Sequence, residues 1–140
     1  MSVYNYKTSI TQVGVLDCSS SPTRYIFRAP ERCIISSIYI VNGTTKAAND
    51  TNWLNIAVAN LGSDGAGTTS VATRKSNVAG GVITADVPAA MVLSTTAANL
   101  EMAAGDVLQI TATEGATGQG DTDAECAFIV NWIPGSGAGQ

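Results

Sequence analysis

Two segments near the C-terminal end of the chain alternate strictly between apolar and polar residues. The first runs over residues 107–113 and the second over residues 125–132, and a loop rich in Gly and Asp separates them. Alternation with a period of two is typical of a strand that buries one face. The pattern predicts two antiparallel strands, paired with each other over a hydrophobic core. The residues predicted to point inward are Leu108, Ile110, Ala112, Cys126, Phe128, Val130 and Trp132.

The segment 33–41 is the strongest β segment, and it is apolar on both of its faces. Simple alternation assigns Ile34, Ile38 and Ile40 to one face. The opposite face then carries Cys33, Ile35, Tyr39 and Val41. A strand that is apolar on both sides needs cover on both sides. We therefore expect the second face to contact a partner chain or a loop.

Weaker strand patterns occur along the rest of the chain. They cover residues 8–16, 24–28, 53–60, 70–74 and 91–94, and Tyr25 and Phe27 are predicted to lie opposite Ile26. Residues 96–104 fit either a strand or a short helix that ends at Gly105, and we favour the strand because the rest of the chain is β.

About eight short strands with little helix predict an all-β fold, a jelly-roll-like antiparallel β-sandwich. The predicted core comprises Ile34, Ile38, Ile40, Leu54, Ile56, Val58, Leu108, Ile110, Phe128, Val130 and Trp132. We expect an N-terminal arm at residues 1–7, one domain at residues 8–134 and a flexible tail at residues 135–140.

The chain carries unusually little charge. Apolar residues make up 45% of its 140 residues, whereas charged residues make up only 13%, against about 25% in a typical soluble domain. Such a surface is poorly protected against association. All seven basic residues lie within the first 75 positions, so this part has a charge of +3 and the remainder −7. This asymmetry is either chance or a docking face, and neither part is basic enough to predict nucleic-acid binding.

Cysteine usage and hydropathy indicate a chain synthesised in a cytoplasm. The three cysteines are an odd number without CxxC spacing, and no signal peptide or apolar run of membrane-spanning length is present. We expect reduced, semi-buried thiols. Cys33 and Cys126 both lie in predicted strands, so a disulfide between them is the alternative.

The residue types exclude several kinds of active site. Histidine is absent, which removes Ser-His-Asp triads, Cys-His pairs and histidine-based zinc sites. Asp121, Asp123 and Glu125 are a candidate cation site, although on an extended segment the same spacing points charges to solvent. We expect no catalytic set, no cofactor and no bound metal.

The two tryptophans are the candidate platform for stacking on a sugar ring. Trp132 shares its face with apolar core residues, which favours a place in the core. Trp53 follows a polar loop, so it is either half-buried or exposed for binding.

The chain resembles the small jelly-roll decoration (cement) proteins of tailed bacteriophage heads. Four stretches carry the likeness: residues 24–30 (RYIFRAP), the strand 33–41, the turn 104–108 (AGDVL) and residues 130–134 (VNWIP). The likeness is one of layout over residues 8–134. A similar turn also occurs in tumour-necrosis-factor-like trimers and in fibre-tip domains.

The resemblance implies a homotrimer on the exterior of the virion, bound to the major capsid protein and stabilising the shell without catalysis. The expected contact residues for the capsid or the oligomer are Tyr4, Tyr6, Ile35 and Tyr39. We expect no nucleic-acid or membrane partner. The alternative function is a receptor- or glycan-binding head domain of a phage fibre.

Overall fold

Alternating segments form the strands of the structure, a computed structural model that describes residues 6–115 and 126–135. Within these ranges the chain forms ten strands, together with 3₁₀ turns at Cys18–Ser20 and Ala97–Leu100. The strands are β1 (Lys7–Gln12), β2 (Thr23–Arg28), β3 (Cys33–Val41), β4 (Leu54–Asn60), β5 (Thr69–Lys75), β6 (Ala89–Ala90), β7 (Val92–Leu93), β8 (Glu101–Met102), β9 (Val107–Glu114) and β10 (Ala127–Pro134).

The strands form two antiparallel sheets. Sheet A has the order β1-β10-β3-β6, and β8 also pairs with β3; sheet B has the order β2-β9-β4-β5-β7. The pairs are nested in the chain, because β1 pairs with β10, β2 with β9, β3 with β6, and β4 with β5. This nesting is the topology of a jelly roll. The predicted all-β, jelly-roll-like sandwich is confirmed, with additional two-residue strands at the edges.

The predicted pairing of the two alternating C-terminal segments is wrong. β9 lies between β2 and β4 in sheet B, whereas β10 lies between β1 and β3 in sheet A. Their inward faces are the ones that the alternation predicted: Leu108 and Ile110 are fully buried on β9, as are Phe128 and Val130 on β10. Alternation identifies the buried face of a strand and leaves its hydrogen-bonding partner undetermined.

The face assignment along β3 is wrong in its first half. The register of β3 against β10 shifts at Asn131 and Trp132, where Ser36 is an extra residue. One extra residue exchanges the two faces of a strand. Ile35 therefore lies in the core, only 1% exposed, and Ile34 is half-buried on the outer face.

A second bulge changes the assignment in β2. The register against β9 shifts between Tyr25 and Phe27, which leaves Ile26 without a partner position. Ile26 and Phe27 are both buried, while Tyr25 is 67% exposed. The predicted arrangement, with Tyr25 and Phe27 on one face, is therefore wrong.

The ambiguous segment 96–104 contains both predicted elements. A 3₁₀ turn at Ala97–Leu100 is followed directly by β8. The chain leaves sheet A after β6, adds β7 to the edge of sheet B, and returns through this turn to β3. This segment therefore passes between the two sheets at the edges opposite β1 and β2.

The strand predicted at residues 8–16 is shorter in the structure, where β1 ends at Gln12.

The core lies between the inner faces of the sheets. All eleven predicted core residues are buried except Ile34, which the β3 bulge turns outward. Residues outside the strong alternating segments complete it, among them Leu16, Ile83 and Met102, all nearly fully buried. The buried Ser76 hydroxyl accepts a hydrogen bond from the backbone N–H of Leu54 at 2.9 Å.

The turn before β9 is held by a carboxylate. Gly105 has a φ of +91°, a conformation that glycine adopts without steric cost. Asp106 accepts hydrogen bonds through Oδ2 from the Ala103 backbone N–H at 3.0 Å and from Asn60 Nδ2 at 3.1 Å. The predicted turn at Gly105 and Asp106 is confirmed, and it also connects β4 to the start of β9.

Among the described residues, the basic and the acidic part of the sequence do not form separate sheets. Each sheet contains strands from both parts of the chain, because β9 and β10 insert between earlier strands. Arg32 and Glu101, one from each part, form an ion pair at 3.9 Å. Both side chains are about half exposed, so this pair contributes little to stability.

Truncation of Phe128 tests the register of β10. Phe128→Ala is expected to lower the free energy of unfolding by about 3–5 kcal/mol, because it leaves a cavity in the core. The adjacent change Ile129→Ala removes a half-buried side chain from the outer face and is expected to cost about 1 kcal/mol. Denaturant unfolding measures both values. Equal losses would show that the two faces of β10 are not distinguished by burial.

Candidate binding surfaces

A row of apolar side chains crosses the outer face of sheet A. The register places one residue from each of four adjacent strands in line, and we call these residues the apolar row: Ile10, Ile129, Tyr39 and Ala90. Ile10 is 67% exposed. Three strand spacings separate its ends, a distance of about 14 Å.

An uncharged polar row runs beside the apolar row. Thr8 Oγ1 donates a hydrogen bond to Asn131 Oδ1 at 2.5 Å, and Asn131 Nδ2 donates one to Ser37 Oγ at 2.9 Å. These side chains satisfy one another within the face. A protein that covers them need not break an ion pair, so the cost of removing water is lower than for charged groups.

On the other side of the apolar row, Ala127 and Val41 are paired with each other; Val41 is half-buried, whereas Ala127 is buried. Among the described residues, the outward positions of β1, β10 and the paired part of β3 carry no charged side chain. The nearest charges, such as Glu101 on β8, lie at the margin. The centre of the face is therefore apolar or neutral.

Two of the four predicted contact residues have positions consistent with contact. Tyr39 lies in the apolar row, and Tyr6, directly before β1, is 62% exposed. Ile35 lies in the core and is not available to a partner in the folded chain. Tyr4 lies outside the described residues.

Ile10 and Ile129 were not among the predicted contact residues, and the sequence contained a signal for Ile129 alone, since Ile10 is flanked by the polar Ser9 and Thr11. Each lies on a strand at a position opposite to its inward-facing neighbours, such as Phe128 and Val130 for Ile129. An isoleucine at such a position is an apolar side chain directed away from the core.

A groove of about 620 Å³ lies where β1 and β2 form neighbouring edges of the two sheets. It is lined mainly by apolar atoms, and Tyr25 and Arg28 contribute an exposed ring and a guanidinium group. The Thr11 hydroxyl donates a hydrogen bond to the Ile26 carbonyl at 3.0 Å, which connects the two strands. The remaining lining residues are Ser9, Phe27, Leu61, Gly65 and Val107.

The tryptophans do not form a shared platform for a sugar. Trp132 is 7% exposed and packs on Phe27 with ring centroids 4.7 Å apart. Trp53 is half-buried, and the Lys75 ammonium lies 3.9 Å from the centroid of its ring. A cation–π contact of this kind occupies one face of the indole.

None of the three cysteines forms a disulfide, and all three are buried. Cys33 pairs with Pro134 at one end of β3, whereas Cys126 precedes Ala127, which pairs with Val41 at the other end. The length of β3 separates them by about 26 Å, far beyond the Cα separation of about 4–7 Å that a disulfide requires. The alternative of a Cys33–Cys126 disulfide is therefore wrong for the folded chain.

Burial raises the pKa of the Cys33 thiol from 9.0 to about 11, and the negative charges of Glu31 and Asp106 add to this effect. A thiol that stays protonated is a poor nucleophile and a poor metal ligand. Among residues 6–115 and 126–135, no group of three or more potential ligands is arranged to hold a metal ion. The candidate cation ligands Asp121, Asp123 and Glu125 lie outside these ranges.

No protein family, curated protein or solved structure matches this chain. Within the described residues, no helix has the length and apolar character needed to span a membrane. The functional argument therefore depends on the fold and on the two surfaces, the apolar row and the groove.

Raising the pH tests the environment of Cys33. Because the folded chain holds this proton more tightly than the unfolded chain, the protonated thiol contributes stability fully below pH 9, and this contribution decreases as the pH rises towards about 11. Tyrosines and lysines titrate in the same range, so Cys33→Ala serves as the reference. Between pH 9 and about 11, the unfolding free energy of the wild type is expected to decrease relative to that of Cys33→Ala. A difference that does not change with pH would contradict the raised pKa.

Proposed function

We propose that this protein is a structural virion protein, a decoration protein that binds the outer surface of a bacteriophage head and stabilises the shell. Its partner is the major capsid protein, and its activity is binding without catalysis. The observation that carries the proposal is the outer face of sheet A, whose centre carries no charged side chain among the described residues and contains the apolar row.

This face suits a protein partner for a physical reason. Burial of an exposed large apolar side chain contributes about 1.5–3 kcal/mol, and Ile10 and Tyr39 both have surface left to bury. The adjacent Thr8, Asn131 and Ser37 side chains are already hydrogen-bonded to one another. A partner therefore gains apolar burial while it leaves few polar groups without partners.

A shell built from many identical subunits allows contacts that are individually weak to give strong binding. A clamp that touches several neighbouring subunits must lose all its contacts together before it dissociates, so modest contacts give high overall affinity. Exposed Tyr6, at the N-terminal end of β1, is placed to add one such contact beside the face. The low overall charge of the chain, 13%, supports a surface that is covered in the assembled particle.

The capsid-binding proposal predicts a specific loss when the apolar row is interrupted. Tyr39→Thr removes the ring and retains a residue that is favoured in strands. Occupancy on purified heads, measured by co-sedimentation, is expected to fall at least tenfold, about 1.4 kcal/mol of binding free energy. Val78→Thr is the matched control, since Val78 is 65% exposed in a loop away from this face.

Both variants are first compared with wild type by thermal unfolding, so that loss of binding is separated from loss of fold. Equal occupancy of Tyr39→Thr and wild type would exclude the outer face of sheet A from capsid binding. Heads that lack the protein and yet resist heat and low salt as well as decorated heads would contradict the stabilising function.

The groove favours the second candidate function, a receptor- or glycan-binding head domain of a phage fibre. An exposed aromatic ring with hydroxyl and guanidinium groups nearby is suited to a sugar, because the ring packs on the apolar face of the pyranose. Tyr25 supplies the ring, Arg28 the guanidinium group, and Ser9 and Thr11 the hydroxyl groups.

If the groove binds a glycan, Tyr25→Ala is expected to abolish binding to host cells or to a glycan array, whereas Tyr39→Thr leaves it unchanged. The exposed position of Tyr25 keeps the cost to folding small, within about 0.5 kcal/mol. Absence of glycan binding by the wild-type protein would eliminate this candidate. Localisation of the protein by electron microscopy, on the head or on the tail, decides between the two functions.

A further inference from the structure

Within the described residues, β1 is an outer strand of sheet A. It pairs with β10 on one side, and in the described part of the chain no strand pairs with its other side. An unpaired edge exposes backbone N–H and C=O groups that can accept another strand. Natural proteins block such edges with very short strands, bulges, prolines or charges directed at the edge.

The other described edges carry these devices. The opposite edge of sheet A is divided between β6 and β8, and the edge of sheet B beyond β5 is β7, all of two residues each. The β2 edge has the bulge at Ile26, and Arg24 and Arg28 are exposed along it.

β1 lacks them over its whole length. It has six residues, its register against β10 is unbroken from Lys7 to Gln12, and it contains no proline. Its one charged side chain, Lys7, lies at its end and forms an ion pair with Glu31 at 3.0 Å. The middle of the strand carries Ile10, 67% exposed.

The side chains of β1 are complementary to a second copy of the same strand. In an antiparallel pair centred on Ile10, the two isoleucines face each other on the outer side. Thr8 then lies opposite Gln12, and Ser9 lies opposite Thr11, so each of these polar side chains lies opposite another uncharged polar side chain. No two like charges within β1 are brought together, and a two-fold interface requires such self-complementarity.

We propose that two copies of this chain associate through β1, antiparallel and two-fold symmetric about Ile10. Sheet A then continues from one copy into the other, and the apolar row of one copy is joined end to end with that of its partner. The combined row is about 33 Å long, from seven strand spacings.

The pairing goes beyond the proposed function and does not depend on it. A two-fold contact gives dimers, so the trimer expected from the resemblance would require a different surface.

The mass of the full chain in solution provides the first test. At micromolar concentrations the wild-type protein is expected to have twice the chain mass of 14.3 kDa. Ile10→Asp places two carboxylates against each other at the axis and is expected to give monomers, with a dissociation constant raised at least a hundredfold. Val78→Asp introduces the same charge at a similarly exposed valine in a loop and is expected to remain dimeric.

A wild-type monomer or trimer at these concentrations overturns the proposal, and so does an Ile10→Asp protein that remains dimeric. Since none of these measurements involves capsids, failure here leaves the proposed function standing. Likewise, normal binding of Tyr39→Thr to heads would contradict capsid binding through this face and would leave the dimer proposal standing.

Cysteine cross-linking tests the register and remains informative if Ile10→Asp fails to fold. Ile10→Cys is expected to form an interchain disulfide under mild oxidation, since the three native thiols are buried. Thr8→Cys alone is expected to remain uncross-linked, whereas the double change Thr8→Cys with Gln12→Cys is expected to cross-link. Efficient cross-linking of Thr8→Cys alone, or none of Ile10→Cys, contradicts pairing centred on Ile10.

Discussion

Both sheets depend on hydrogen bonds to strands from the C-terminal part of the chain. β9 separates β2 from β4, and β10 separates β1 from β3, so each sheet is interrupted until these two strands are in place. The pairs join distant residues, such as Lys7 with Trp132 and Thr23 with Thr111. Closing such long loops costs entropy before any contact is gained, and folds dominated by distant pairs form slowly. In return, the nested arrangement brings the alternating faces of β9 and β10 against each other from opposite sheets.

The same arrangement determines which apolar side chains remain outside. Sheet A uses its inner face for the core and its outer face for a mixture of apolar residues and mutually bonded polar groups. Asn131 illustrates the second type, since it bonds to Thr8 on one side and Ser37 on the other. These hydrogen bonds give the polar side chains partners without any charged group. The face is therefore compatible with water, and little free energy is lost when a protein covers it. The proposed capsid contact depends on this property.

The candidate sites were predictable to different degrees. Tyr39 was identified from the apolar second face of its strand, and the structure places it in the apolar row. Ile35 was assigned to the same face by the same reasoning, but the bulge at Ser36 turns it into the core. The groove could not be predicted, because its walls come from β1, β2 and the segment that contains Leu61 and Gly65, which are distant in sequence. Grooves of this kind exist only after two sheet edges have been brought together.

The sequence by itself determined the all-β class, most of the core and the lack of histidine-based chemistry. These follow from composition and from the period of two, which is a local property of each strand. The tertiary structure alone decided which strands pair, where the bulges fall, and which isoleucines remain exposed. The reason is physical: alternation records which side of a strand is apolar, whereas its backbone N–H and C=O groups pair equally well with any strand. A single additional residue such as Ser36 then exchanges the two sides, and only the partner strand reveals it.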